Sequence, residues 1–161
     1  MKKAKSSFYF HVYDAADKLP DAEAALLKMA KEATANAYAP YSHFHVGAAA
    51  QLNNGAFMKG TNQENASYPV GICAERVLLS ALSSQYPGVA VETMAISYDN
   101  RNGESNKPVA PCGMCRQALV EFESRQQHPI RLILGGMEGS VYIIEEANAL
   151  LPLSFGGDDL K

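Results

Sequence analysis

Pro111-Cys112-Gly113-Met114-Cys115, read together with the upstream Cys73-Ala74-Glu75-Arg76, is the stretch around which the rest of the chain falls into place. Each group follows a strand-like run and a polar loop, and each opens an apolar pattern of helical period. Ala74, Val77, Leu78, Ala81 and Leu82 carry it after the first group, and Ala118, Leu119 and Phe122 after the second. Two cysteines three apart on a first helical turn face the same way, and a helix N-terminus favours thiolate over thiol. Thiolates bind zinc, and three of them leave one tetrahedral position open, whereas a structural zinc is normally closed by four protein groups. Two other readings stay open on spacing alone. Cys112 and Cys115 could be a redox pair beside an unrelated Cys73, or a structural zinc could be completed by His11, His43, His45 or His128. Neither accounts for the carboxylate of Glu75 two residues beyond a cysteine.

Working outward, Pro87-Gly88 ends the first of these helices at about Tyr86. Upstream lies a polar loop from Thr61 to Gly71, and before it Val46–Leu52 and Ala56–Gly60 flank Asn53-Asn54-Gly55, a hairpin signal. Earlier still, Ala22, Ala25, Leu26, Met29, Ala30, Ala33 and Ala37 predict an amphipathic helix capped by Asp21 and ending near Ala39-Pro40. Downstream, Val91–Tyr98 reads as a strand, 99–110 as a loop, and Ile130–Leu134 and Val141–Ile144 as two more strands. Their connection, Gly135 to Ser140, is too short for a parallel crossover, so they are expected to be antiparallel neighbours. Phe8, Phe10 and Val12 alternate with Tyr9, His11 and Tyr13, which predicts an added edge strand in a leader of residues 1–20, ahead of a single domain over 21–161.

A chain of 161 residues with 47% hydrophobic and 19% charged residues suits one domain with a real core. Its 14 Lys and Arg against 17 Asp and Glu leave a net charge of -3, so it has no broad basic field for a phosphate backbone. Nucleic acid is a poor candidate partner. Met1-Lys2-Lys3-Ala4-Lys5 has the charge of a secretory start, but the residues to Tyr13 are too short and too polar for its apolar part, and no stretch is long enough to span a bilayer. Three cysteines cannot all pair, which points to a reducing compartment, the cytoplasm.

A cysteine, one residue and a glutamate, followed later by Pro-Cys-x-x-Cys, is the signature of zinc-dependent deaminases in its all-thiolate form. The chain resembles the cytidine deaminase family, in its small homotetrameric nucleoside branch, from about Ala33 to Leu160. Tyr41-Ser42-His43-Phe44-His45-Val46-Gly47-Ala48, Thr61-Asn62-Gln63-Glu64-Asn65-Ala66-Ser67-Tyr68, Cys73 to Arg76, Pro111 to Gln117, and Leu150-Leu151-Pro152-Leu153-Ser154-Phe155-Gly156 carry the likeness in order. The resemblance implies a three-layer α/β fold: a mixed sheet of about five strands with helices on both faces, the last two strands antiparallel. It further implies one zinc ion per subunit on Cys73, Cys112 and Cys115, and deamination of cytidine and deoxycytidine in pyrimidine salvage.

Glu75 is not needed to fill the coordination shell and suits a general base that takes a proton from water. The resemblance has it protonate ring nitrogen-3 and then the leaving amine. Three thiolates give the zinc site a formal charge of -1, and Arg76 is placed to offset it by donating to a thiolate sulfur. In the loop, Asn62 and Glu64 offer a donor amide and an acceptor carboxylate for a sugar hydroxyl, and the carboxylate repels phosphate, which favours a nucleoside over a nucleotide. The family likeness directs them to the ribose 3′-hydroxyl, sets Phe44 against the base and offers the Ala74 amide. The apolar tail needs covering, and by the same likeness Phe155 and Tyr68 reach a neighbouring subunit's site in a homotetramer. Alternatives are a deaminase of a modified cytosine nucleoside or nucleoside antibiotic, and a zinc-stabilised binding module without catalysis.

Overall fold

Nine regular elements follow one another along the chain: β1 (His11–Tyr13), α1 (Asp21–Ala33), β2 (Phe44–Leu52), β3 (Phe57–Thr61), α2 (Ala74–Gln85), β4 (Val91–Asn100), α3 (Gly113–Gln126), β5 (Arg131–Gly135) and β6 (Val141–Ile144). The computed structural model describes all 161 residues. The strands form one sheet in the order β1-β6-β5-β4-β2-β3. Only β4 and β5 run parallel, joined by the α3 crossover, and every other pair is antiparallel. β5 and β6 are antiparallel neighbours, as their short connection requires. The sixth strand beyond the expected five is the leader's.

The central strands are buried on both faces, so they read as continuous apolar runs such as Ala48-Ala49-Ala50 and Leu132-Ile133-Leu134. Alternate residues feed opposite layers. Leu26, Leu27 and Ala30 of α1 pack with Ala49, Ala95 and Ile133 on one face. On the other, Leu78 and Leu82 of α2 and Leu119 and Phe122 of α3 pack with Ala48, Met94 and Leu132. Two glycines let the helices approach. A Cβ on Gly47 would lie 2.1 Å from the Ala30 carbonyl oxygen of α1, and one on Gly60 would lie 2.5 Å from the Ala74 carbonyl oxygen of α2. Gly60 therefore sets how close the first turn of α2 comes to the sheet.

Three details differ from the sequence expectation. α1 ends at Ala33, not near Ala39, because the chain tightens into a 3-10 turn over Thr34–Asn36. The Thr34 hydroxyl there donates to the Lys31 carbonyl at 2.7 Å, and Tyr38 is drawn off to bridge Gln63. Asp21 makes no capping hydrogen bond. Pro20 holds the N-cap position, and Asp21 in the first turn acts only through its charge on the helix dipole. The leader strand pairs over three residues, His11 to Tyr13 against Ile143 to Val141. Phe8 and Phe10 lie ahead of it, Phe10 with its ring 5.0 Å from that of Tyr142.

The buried carboxylate of Glu123 in α3 accepts backbone N–H groups of Ile130 at 2.7 Å, Ala147 at 2.9 Å and Asn148 at 2.9 Å. It ties the entry to β5 and the start of the C-terminal tail to one helix.

Candidate active site

Cys73 and Cys112 are the N-cap residues of α2 and α3, both with extended backbone, and Cys115 lies in the first turn of α3. The two helix starts converge on the same side of the sheet, bringing the three sulfur atoms within 4.8 Å of one another. Cys73 Sγ and Cys112 Sγ are 3.7 Å apart, and Cys112 Sγ and Cys115 Sγ are 3.5 Å apart. Sulfurs at about 2.3 Å from a tetrahedral zinc stand roughly 3.8 Å from each other, so these spacings fit that ion. They are far too long for a disulfide, and all three cysteines are free.

No histidine belongs to the cluster. His45 alternates with the cavity-facing Phe44 and Val46 and so points to the α1 face, where it is buried with Nδ1 unpartnered. The cluster offers three protein ligands and no fourth.

The hydrogen bond from the Cys115 thiol, working against burial and the nearby Glu75 charge, brings the Cys73 thiol down to about 6. That same hydrogen bond, together with burial, pushes Cys115 upward. Cys73 thus becomes thiolate before Cys115. Glu75, 4% exposed, has its carboxyl pushed above the usual range by burial, against opposing pulls from its own backbone amide and Cys115. Arg76 reaches no thiolate. Its guanidinium runs along the α2–α3 groove to the Met114 sulfur at 4.0 Å, and it favours the Cys73 thiolate only through its charge.

A cavity of about 490 Å³ opens beside these groups, a size suited to a small molecule. Glu75, Cys73 and Cys112 line one part of it, Phe44 and Tyr98 the sheet side, and Asn62 and Glu64 another part. The Phe44 and Tyr98 rings are stacked, with centroids 4.7 Å apart and planes 15° from parallel.

Asn62 is partly spent on the backbone. Its Oδ1 accepts from the Val46 amide at 2.7 Å and its Nδ2 donates to the Phe44 carbonyl at 2.9 Å, continuing the β2–β3 ladder with a side chain. One N–H and one lone pair remain. Glu64 accepts from the Tyr41 amide at 2.9 Å, the Ser42 amide at 3.3 Å and the Ser42 hydroxyl. Although burial works the other way, these bonds hold its carboxyl below the usual carboxylate range. Ala74 is the first residue of α2, so its amide has no intrahelical acceptor.

Tyr68 and Phe155 do not line this cavity. Tyr68 is 78% exposed and sits edge-on to Tyr41, with ring centroids 6.2 Å apart. Phe155 is 58% exposed, and its backbone carbonyl accepts from Gln117 Nε2 at 2.8 Å. Sequence reasoning overlooked two residues. Tyr98 sits in a strand with no motif around it. Arg116 follows Cys115 and donates to the Pro111 carbonyl at 2.8 Å and the Leu150 carbonyl at 2.9 Å, tying the cysteine turn to the tail. Its place inside the Pro111–Gln117 segment was the available signal.

Residues 20–128 match the family model for the cytidine and deoxycytidylate deaminase zinc-binding region. The cytidine deaminase of Halalkalibacterium halodurans is 36% identical over 136 residues, covering 84% of this chain and 96% of that protein. The cytidine deaminase of Mycobacterium tuberculosis H37Rv is 36% identical over 146 residues, 88% of this chain and 96% of its own. Among solved structures, the cytidine deaminase of Burkholderia pseudomallei superposes with a TM-score of 0.69 at 41% identity, over 81% of this chain and 97% of that one. A three-cysteine cluster at two helix starts, a buried glutamate beside it and relatives matched over nearly their whole length leave one assignment: the chain belongs to the cytidine deaminase family.

Proposed function

We propose that the protein hydrolyses cytidine and deoxycytidine to uridine and deoxyuridine with release of ammonia, serving pyrimidine salvage. The observation that carries this reading is the buried carboxyl of Glu75 opening onto the cavity beside a three-sulfur cluster that has no fourth protein ligand. Cys73, Cys112 and Cys115 would hold the zinc, which would supply a Lewis acid that makes water nucleophilic near neutral pH. Glu75 takes one proton from the attacking water and passes it to ring nitrogen-3, and the second proton goes to the amino group. The carbon-4 to oxygen bond forms, the carbon-4 to nitrogen bond breaks, and ammonia leaves with no redox change. A carboxyl raised by burial suits this shuttle, because it holds a proton more readily than an exposed carboxyl does.

Asn62 and Glu64 bind the ribose 3′-hydroxyl with their remaining hydrogen-bonding capacity, and the Glu64 carboxylate turns away phosphorylated sugars. Phe44 stacks on the base and the Ala74 amide donates to it. Arg76 offsets the negative charge of the thiolates from a distance. Residues 21–161 form the catalytic unit, with the leader as an attached strand. Exposed Tyr68 and Phe155 belong to a homotetramer in which each reaches a neighbour's cavity. No helix is long and apolar enough to cross a membrane, and a cluster of free thiols calls for a reducing compartment, so the proposed location is the cytoplasm. The net charge of -3 favours a small substrate over a polynucleotide.

The test is Glu75→Gln in the zinc-loaded protein. It should keep one zinc per chain by metal analysis and lose nearly all ammonia release from cytidine. Retained turnover would overturn the assignment of Glu75, and light scattering that gives a fully active monomer would overturn the shared sites.

A further inference from the structure

Phe44 and Tyr98 together make one wall of the cavity, and Tyr98, 3% exposed, is held almost entirely within it. In the β2–β4 register Tyr98 stands opposite Val46, one step along the same sheet face from Phe44. Its ring covers one face of the Phe44 ring at 4.7 Å. An aromatic ring has only two faces. A base that stacks on Phe44 is therefore confined to the other one, while Tyr98, which itself lines the cavity, bounds the space beside that stack.

The sheet order says which part of the substrate meets this wall. β4 lies on the opposite side of β2 from β3, and Asn62 and Glu64 follow β3 directly. Resting on the deaminase reading, the sugar lies toward Asn62 and Glu64 and the reacting carbon toward Glu75, so Tyr98 borders the base. Of the two base flanks that remain, the carbonyl flank is the same in every cytidine and only the C5 flank carries substituents. We propose that Tyr98 is a specificity-determining residue that confines the base against Phe44 and excludes cytidine nucleosides enlarged at C5. A mismatch of one methylene in such a pocket is worth about 10–200-fold in kcat/KM, ample for selection.

The experiment measures kcat/KM by ammonia release for cytidine, 5-methylcytidine and 5-iodocytidine with the full-length, zinc-loaded enzyme. Wild type should fall stepwise with substituent size. Tyr98→Ala should lower the cytidine to 5-iodocytidine ratio by about tenfold or more, while Tyr98→Phe, which keeps ring and stack, should hold the wild-type ratio. If Tyr98→Ala fails to melt cooperatively, Tyr98→Leu takes its place and should shift the ratio in the same direction. An unchanged ratio in the small variant, or an equal shift in Tyr98→Phe, overturns the proposal. A wild type that turns over all three nucleosides equally does so too. A wild type that releases ammonia from none of them instead defeats the deaminase reading beneath it.

Discussion

Replacing Gly60 with alanine puts a methyl group where α2 leans on the sheet. The added Cβ would sit 2.5 Å from the Ala74 carbonyl oxygen, 2.8 Å from the Leu78 amide nitrogen and 2.9 Å from Leu78 Cβ. Two of these neighbours are helix backbone and cannot swing aside, so the first turn of α2 must lift. Ordinary contact, near 3.5 Å, is regained by a shift of roughly 1 Å. Overpacking of this kind costs about 1–3 kcal/mol, and at about 2–4 °C per kcal/mol for a chain of this size the melting temperature should fall by several degrees. The displaced turn carries Cys73 at its cap and Glu75 within it. A misplacement of about 1 Å costs on the order of 100-fold in rate, so kcat/KM should drop by about that factor in protein that is still folded.

Gly47→Ala is the matched control, because its Cβ would lie 2.1 Å from the Ala30 carbonyl oxygen of α1, on the face opposite the cysteines. It should lower the melting temperature at least as much while keeping full zinc and losing far less of its rate. Thermal melts, metal analysis and the ammonia assay read all three quantities. Equal rate losses in the two variants, or wild-type behaviour in Gly60→Ala, would refute the reasoning.

Glu64→Gln exchanges one acceptor oxygen for a donor facing the Tyr41 and Ser42 amides, so the turn should loosen and KM rise about tenfold, or about 1.4 kcal/mol, with a smaller effect on kcat. An unchanged KM argues against a sugar-binding role for that turn. The Glu64 carboxyl is held below the usual carboxylate range, so the stability it contributes is present above that range and lost only as pH falls through the lower folded value. Stripping zinc with a chelator should abolish activity and expose all three thiols to Ellman's reagent, with both effects reversed by added zinc. Rapid titration of three thiols in active enzyme would count against the metal site. Glu123→Ala strands three backbone N–H groups at about 1–3 kcal/mol each, and should lower the melting temperature well beyond Gly60→Ala. Burial, ahead of the amides that oppose it, raises the Glu123 carboxyl, so its stabilising proton is held at low pH and lost as pH rises through the folded value. Glu123→Gln should flatten that part of the pH dependence in urea melts, and an unaltered slope contradicts it.

Short-range chemistry was legible in the residues. The Asn53-Asn54-Gly55 turn, the helix openings at Cys73 and Cys112 and the antiparallel β5–β6 pair follow from local geometry that a few neighbouring residues dictate. The end of α1 was misjudged because alanines keep helical spacing through Ala37, while the tertiary pull of Gln63 on Tyr38 turns the chain earlier. Asn62 and Glu64 were found as polar loop residues. That much of their capacity goes to Phe44, Val46, Tyr41 and Ser42 depends on segments about twenty residues away in sequence, whose approach no local pattern encodes.

By itself the sequence determined the donor set: three cysteines and a glutamate at spacings that only a few chemistries use, since helical periodicity decides which side chains share a turn. Only the tertiary structure decided that Cys73 and Cys112, carried by different helices, come within 3.7 Å, that Arg76 misses the thiolates, and that Tyr98 stacks on Phe44 in the cavity wall. Those outcomes depend on how two helices pack against one sheet, and that packing is set by Gly60 and a core of long-range contacts rather than by neighbours in the chain.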